Sequence, residues 1–368
     1  MLQVLKKNRI LIAILVLFLI LPFLRVPDLR NEMKYLDIVQ EIVDKKSYWV
    51  LYYHKELYPD KPPLYFWLLI IIYKIFGKDL LFPLSLIFFS YLPFLSILSL
   101  ACWQLNYLKK EWKDKFLSYS FTIPYLMGLS IFLRMDMLMA FFITLSLSLF
   151  IYFYFNRNKI NNIKLFFLYS SIFLGIFTKG ALGGILPILI IYVFLYLESD
   201  LKFFNNLHWK KGILFLVFFF SICLIILYFQ PNGTEYIKLL LGKQTIGRAY
   251  KSYSHARPFY YYFIYLPLTF LPYGIFYIYG FFKYLINLER RKTWTLFEKW
   301  AFSWSIPPFI LLSIISGKLQ IYLLPLYIGM IFLSLIVKDK LIKKYEFLVS
   351  VEKNIQKYVY ILYFFLPV

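Results

Sequence analysis

Ionisable residues stand against apolar runs at several points in this chain, and each position needs a physical reason. Asn31-Glu32-Met33-Lys34-Tyr35 opens a mixed stretch that runs from Pro27 to Trp67. Asp60-Lys61-Pro62-Pro63 closes it. Arg134-Met135-Asp136 and Thr178-Lys179-Gly180 each interrupt long apolar sequence. A carboxylate at the mouth of a helix can serve as a general base, and Glu32 and Asp136 are the candidates. Glu32 has a plainer reading, in which Asn31 caps a helix and Glu32 complements its dipole. Asp136 has one too, as the ion-pair partner of Arg134. Lys61 precedes a helix expected to start near Pro63, and a lysine beside a helix N-terminus suits a phosphate. Asp60 and Lys61 are expected on a stiff extended piece, since a residue before proline avoids the helical region. Lys61, Lys179, Arg248, Arg257 and Lys318 together would form a basic funnel, although any one of them could simply snorkel to headgroups. Asp60 and His255 have the ligand chemistry for one divalent ion such as zinc or manganese.

The elements that position these residues follow from composition. The chain has 368 residues, of which 61% are hydrophobic, and many apolar runs approach the length needed to cross a bilayer. This predicts an all-α, polytopic helical membrane protein with about 10–11 transmembrane helices. Apolar segments fall at 10–24, 64–76, 80–105, 117–133, 137–155, 165–178, 181–197, 212–229, 258–283, 301–316 and 320–337. A last one starts near Tyr358 and stops with the chain, so the sequence reads as one membrane domain over 1–368, truncated and without a soluble C-terminal domain. Lys6, Lys7 and Arg9 precede the first run without a small-residue cleavage site after it, which reads as a retained first helix with its N-terminus inside. Residues 31–45 have an amphipathic period, with Tyr35, Leu36, Ile38, Val39, Ile42 and Val43 on one face, and could lie flat at the membrane surface.

The net charge of +22 fits lysines in cytoplasmic loops rather than nucleic-acid binding. With 64–76 as a short interfacial or re-entrant helix, the basic loops 106–116, 156–164, 198–211, 284–300 and 338–357 all fall inside. The outer side then holds 25–63, 134–136, 179–180, 230–257 and 316–319, which are the stretches with misplaced charges. Cys102 and Cys223 sit in apolar runs and suggest neither a disulfide framework nor a thiolate metal cluster.

The motifs, in this order, resemble those of the membrane-embedded glycosyltransferases of the C-type fold, the group of lipid A aminoarabinose transferases and protein O-mannosyltransferases. Asn31-Glu32-Met33-Lys34-Tyr35 is similar to that group's Asp-Glu-x-Arg-Tyr, and Asp60-Lys61-Pro62-Pro63-Leu64-Tyr65-Phe66-Trp67 to its acid-Lys-Pro-Pro-Leu-x-x-Trp. Gly175 to Gly180 resembles its Gly-x-x-x-Thr-Lys-Gly, His255 to Tyr262 its His-x-x-Pro-aromatic stretch, and Ser316 to Pro325 its Lys…Tyr-x-x-Pro signature. The resemblance implies a hexosyl- or pentosyltransferase of the bacterial inner membrane. It would take a sugar from a polyprenyl-phosphate donor and pass it to lipid A, a glycan or a protein on the outer face. It implies a phosphate held by Lys61, Lys179 and an outer arginine, with Lys34 and Tyr35 also at the substrate. It further implies a divalent metal (zinc, manganese or magnesium) at Asp60 and His255. The group's leading aspartate falls on Asn31, and an amide cannot act as a base. Two other readings remain: a flippase for lipid-linked sugars, whose repeated halves and broken midplane helices the sequence lacks, and an inactive binding subunit, which Asn31 would fit.

Overall fold

The computed structural model describes residues 9–240, 242, 256–342, 347–363 and 365. Its core is a bundle in which the helix Met135–Phe155 packs on Leu92–Leu108 and on Asn162–Lys179. Leu182–Leu197 joins this pair to Leu296–Ile314, which packs in turn on Tyr327–Ile342. Several of these helices are long and apolar enough to cross a membrane, among them Met135–Phe155 and Trp209–Tyr228. The chain is a polytopic helical membrane protein. Trp209–Tyr228 keeps most of its apolar side chains outward, as expected where the neighbour is lipid.

The apolar period alone places the segment boundaries imperfectly. Leu64–Leu86 is helical, but Gly77 lies at φ 82°, ψ −179° and breaks it, so 64–76 is a separate short helix as the charge pattern requires. The run 117–133 is not one helix. It divides into Lys113–Phe121 and Pro124–Leu129, because Ile123 is extended ahead of Pro124. The run 258–283 divides likewise, into Tyr261–Thr269 and Gly274–Ile286 around Pro272. The last helix begins at Phe347, well before Tyr358. It is amphipathic rather than uniformly apolar: Lys357 is exposed, and Tyr363 is buried against Phe18 and donates to the Phe121 carbonyl at 2.8 Å.

A second, smaller core forms around the helix Glu32–Lys45. Its buried face is Tyr35, Ile38, Val39 and Ile42, packed against Tyr65, Phe66, Leu69, Leu133, Met135 and Tyr236. The amphipathic face read from the sequence is therefore covered by protein rather than by headgroups. A two-residue hairpin, Tyr52–Tyr53 with Glu56–Leu57, follows it. His54 and Lys55 make its turn at positive φ, a conformation usually given to Gly or Asn, which is why the sequence carries no hairpin signal.

Contacts between loops sort the two ends of the bundle. Tyr236 donates to the Tyr58 carbonyl and Asn232 to the Tyr52 hydroxyl, each at 3.0 Å, which joins 230–240 to the first long loop. The Arg257 amide donates to the Ser316 carbonyl at 3.0 Å. The basic loops meet elsewhere, through Lys115–Asp339 at 3.0 Å, Lys299–Glu198 at 2.8 Å and Arg157–Asp200. This is the grouping that the lysine and arginine asymmetry anticipates.

Candidate active site

Asp136 is the centre of the site. It lies in the first turn of Met135–Phe155, where the helix dipole favours a carboxylate. Its side chain is fully buried. Oδ1 accepts from the Lys179 ammonium, and Oδ2 lies 3.3 Å from Arg134 Nε. Lys61 stands within electrostatic reach of the same carboxylate. Three cations thus share one anion. Arg134 is the more open of the two paired cations, at 16% side-chain exposure against 7% for Lys179.

Local geometry explains how Lys179 arrives there. The helix Asn162–Lys179 turns into Leu182–Leu197 through Gly180 at φ 121°, a conformation that L side chains rarely adopt. The two helices touch at Gly175 and Gly183, where a Cβ on Gly183 would lie 2.2 Å from the Gly175 backbone. Only glycines allow so tight a hairpin, and the hairpin carries Lys179 at its tip into the site.

Aromatic side chains wall the cluster. The Lys179 ammonium lies 4.2 Å from the Tyr322 ring centroid, a cation–π distance. The Tyr35 hydroxyl contacts Arg134, and burial pushes that phenol up to about 12, so it stays protonated. Burial works against the Arg134 charge, but Asp136, Tyr35 and Tyr322 outweigh it and hold the guanidinium above its usual pKa. Tyr65 lies within electrostatic reach of Tyr35, Glu32, Asp136 and Arg134. Among the described residues, four buried polar atoms in this neighbourhood have no hydrogen-bond partner: Asp136 Oδ2 and Arg134 Nε, which face each other as an ion pair, and Tyr65 OH and Tyr262 OH. Buried polar atoms are usually satisfied, so such a concentration marks a place built for a polar ligand.

Other expected site residues have different surroundings. Glu32 is fully buried with both oxygens engaged. Oε1 accepts the Leu133 amide at 2.7 Å, and Oε2 accepts the Asp28 amide at 2.8 Å and the Arg25 guanidinium. Asn31 is exposed and makes no side-chain cap; its amide nitrogen donates to Asp28 Oδ2 at 3.0 Å. Those bonds from Asn31 hold the Asp28 carboxyl below its usual pKa. Lys34 rests on the rings of Tyr53 and Tyr58, at 4.7 and 4.4 Å. The Lys318 ammonium, buried, donates to the carbonyls of Arg257 at 2.9 Å and Ile315 at 2.5 Å, while Arg257 itself is exposed. Asp60 and Lys61 lie half-buried in a turn and a bend rather than on an extended piece, which the local preference of residues before proline does not decide alone. Arg248 and His255 lie outside the described residues. Among the described residues no group of three or more His, Cys, Asp or Glu side chains converges, and of the expected metal pair only Asp60 is described. That set does not fit a metal centre by itself.

Arg25 and Tyr322 were not among the residues singled out as site candidates. Arg25 had a usable signal, an arginine that ends the first apolar run. Tyr322 had one too, as the tyrosine of the Lys…Tyr-x-x-Pro signature.

The whole architecture matches solved structures. ArnT from Cupriavidus metallidurans, bound to undecaprenyl phosphate, superposes with a TM-score of 0.71 at 17% identity, covering 90% of this chain and 59% of that one. The chain has the C-type glycosyltransferase fold. The archaeal oligosaccharyltransferase AglB from Archaeoglobus fulgidus, in complex with an inhibitory peptide and a dolichol-phosphate, shares that fold more distantly, with a TM-score of 0.53 at 13% identity over 95% of this chain and 52% of that one. In sequence, an undecaprenyl phosphate-alpha-4-amino-4-deoxy-L-arabinose arabinosyl transferase of Wigglesworthia glossinidia brevipalpis is 26% identical over 346 residues. An uncharacterized protein of Aquifex aeolicus is 26% identical over 303 residues. These cover 88% and 82% of this chain, which in turn spans 58% and 57% of their lengths. No family profile matches the chain.

Proposed function

We propose that this protein is a glycosyltransferase that moves a sugar from a polyprenyl-phosphate donor to a lipid, glycan or protein acceptor at the outer face of the membrane. One observation carries the reading: Arg134 and Lys179 both pair with the buried carboxylate of Asp136, and Lys61 stands within electrostatic reach of it. Such a cluster suits a phosphate dianion or monoester. The fold neighbour with undecaprenyl phosphate bound supports that class of donor, and the arabinosyl transferase relative favours a pentose over a hexose.

In the proposed reaction the donor's lipid tail stays in the bilayer. Its phosphate meets Arg134 first, then Lys179 and Lys61. The acceptor hydroxyl attacks the sugar C1. The bond from C1 to the phosphate oxygen breaks, with its electron pair leaving on the polyprenyl phosphate. The acceptor proton passes to a carboxylate. Asp136 is the better assignment, because its Oδ2 accepts no hydrogen bond among the described residues while both Glu32 oxygens do. A proton arriving on Asp136 neutralises it. Lys179 and Arg134 are then released from that pair as negative charge builds on the leaving phosphate, which is the moment their charge is worth most. Lys318 is assigned to holding the Arg257 and Ile315 carbonyls, while Asn31, Lys34, Tyr35, Arg248 and Arg257 remain with the substrate as part of this proposal. So does a divalent ion at Asp60 and His255, and no step above depends on it.

A sugar-transfer assay with a radiolabelled polyprenyl-phosphate donor, run over a panel of pentoses and hexoses, tests the reading. Turnover supports it. Donor movement without transfer would indicate a flippase, and binding alone an inactive subunit. Chelation followed by metal add-back in the same assay tests the ion.

A further inference from the structure

The segment that presents Arg134 and Asp136 has no regular structure of its own. Between the helices Pro124–Leu129 and Met135–Phe155, residues 130–134 form a turn and an extended piece. Backbone groups in such a segment must be satisfied by something. Local backbone carbonyls take the amides of residues 130–132 and 134, and side chains from distant parts of the chain reach the rest. Arg25 donates to the Ile131 carbonyl. Ser90 Oγ donates to the Phe132 carbonyl at 2.7 Å. Glu32 Oε1 accepts the Leu133 amide at 2.7 Å. Arg25 and Glu32 are themselves ion-paired, so one unit grips both sides of Phe132. The Arg25 guanidinium also lies over the Phe132 and Phe82 rings, at 5.8 and 5.4 Å. The grip is anchored by Asp28, whose amide donates to Glu32 Oε2.

From this we infer that Arg25 and Glu32 act as one positioning clamp. They fix the register of residues 131–133, and so set where Arg134 and Asp136 stand relative to Lys179. Glu32 is then a positioning residue, not the proton acceptor. The physical case rests on three points. The Glu32 carboxylate is fully buried and both its oxygens accept hydrogen bonds from the protein. Its partners are the Arg25 guanidinium and the amides of Asp28 and Leu133, groups that a carboxylate can order but not activate. The residues it orders begin one position before Arg134. A buried charge pair of this kind is a poor source of stability but a good source of specific geometry.

The inference sharpens the proposed function but rests only on the arrangement of the cluster, so it can be tested without any donor. Lys179 is buried through its pair with Asp136. In the purified full chain, brief acylation with acetic anhydride followed by peptide mass analysis reads its protection. Lys338, buried at the other end of the bundle, is the internal control. With the clamp intact, Lys179 should be protected. In Arg25→Met and Glu32→Gln, Lys179 should acylate several-fold faster while Lys338 does not change, and the double variant should be no worse than the worse single one. Arg25→Lys, which keeps the charge, should restore much of the protection and covers the case in which Arg25→Met fails to fold. Continued protection of Lys179 in Glu32→Gln and Arg25→Met would overturn the clamp, as would an equal rise at Lys338. In parallel, undecaprenyl phosphate binding should weaken about equally in Arg25→Met and Glu32→Gln. Loss of turnover in Glu32→Gln with binding and Lys179 protection unchanged would make Glu32 the base instead. If the wild type binds no polyprenyl phosphate, the donor assignment fails while the acylation result still decides the clamp.

Discussion

Substituting the two halves of the Asp136–Lys179 pair should move donor binding and turnover in opposite directions. Lys179→Met removes one of the three cations and leaves the Asp136 carboxylate balanced chiefly by Arg134. A charge-assisted hydrogen bond to a phosphate is worth about 1.5–3 kcal/mol. At about 1.4 kcal/mol per decade, affinity for undecaprenyl phosphate should fall roughly tenfold to 150-fold. Asp136→Asn does the reverse. It keeps the shape and an oxygen for Lys179 to donate to, and it removes the one negative charge that Lys179 and Arg134 share. Donor phosphate should therefore bind as tightly as in the wild type or more so. Turnover should nonetheless drop by roughly a hundredfold or more, the scale of a lost general base. Removing one partner of a buried pair costs about 3–5 kcal/mol, so both variants should melt earlier. Equilibrium binding of undecaprenyl phosphate in detergent, single-turnover transfer and melting curves measure the three quantities on one preparation. If Asp136→Asn loses donor affinity as severely as Lys179→Met, the carboxylate holds the cluster together and is not its counter-ion and base. If Asp136→Asn keeps full turnover, the assignment of the base is wrong.

Other expectations follow from the geometry. Cysteines placed at Asn232 and Lys55 should both react with an impermeant thiol reagent on intact cells, since contacts from Asn232 to Tyr52 place those loops at one end; labelling of one alone would contradict the grouping. Lys318→Met should lower the melting temperature, because its ammonium ties the Arg257 carbonyl to the end of the helix Leu296–Ile314, yet change donor affinity less than twofold. A larger loss of affinity would return Lys318 to the phosphate. Asn31→Asp replaces a hydrogen-bond donor to Asp28 with a second carboxylate. The Asp28 pKa is depressed in the folded state by Asn31, so its small contribution to stability is present above its unfolded pKa of 3.8 and lost as pH falls through the folded value. Like charges in contact should raise one of the two acids, so the acid limb of melting temperature against pH should move upward in Asn31→Asp. An unchanged acid limb would mean that the two side chains do not interact.

Much of this protein was legible in the sequence because lipid imposes strict rules. A backbone that crosses a bilayer must satisfy its own hydrogen bonds, so the apolar runs had to be helices. Lysines accumulate on one side, so their count sorted the loops into the two groups that the contacts bear out. Lys179 stood out because it interrupts a long apolar stretch, and an ammonium there must find a partner. That interruption did not say how closely the helices on either side of it approach.

Tertiary structure alone decided which charges meet. Residue type and spacing allow Glu32 and Asp136 the same chemistry, and both lie at helix mouths. Only the fold shows that Glu32 is spent on the amides of Asp28 and Leu133 while Asp136, between two cations, keeps an oxygen that accepts no hydrogen bond among the described residues. Lys318 and Lys179 are likewise similar in sequence, each a lysine next to a glycine after an apolar helix. One donates to backbone carbonyls and the other to a carboxylate. The physical reason is range. Helical periodicity is set by neighbours three and four residues away and is written locally. Ion pairing is set by contacts across 43 positions for Lys179 with Asp136 and 101 for Leu133 with Glu32, and those exist only once the helices have packed.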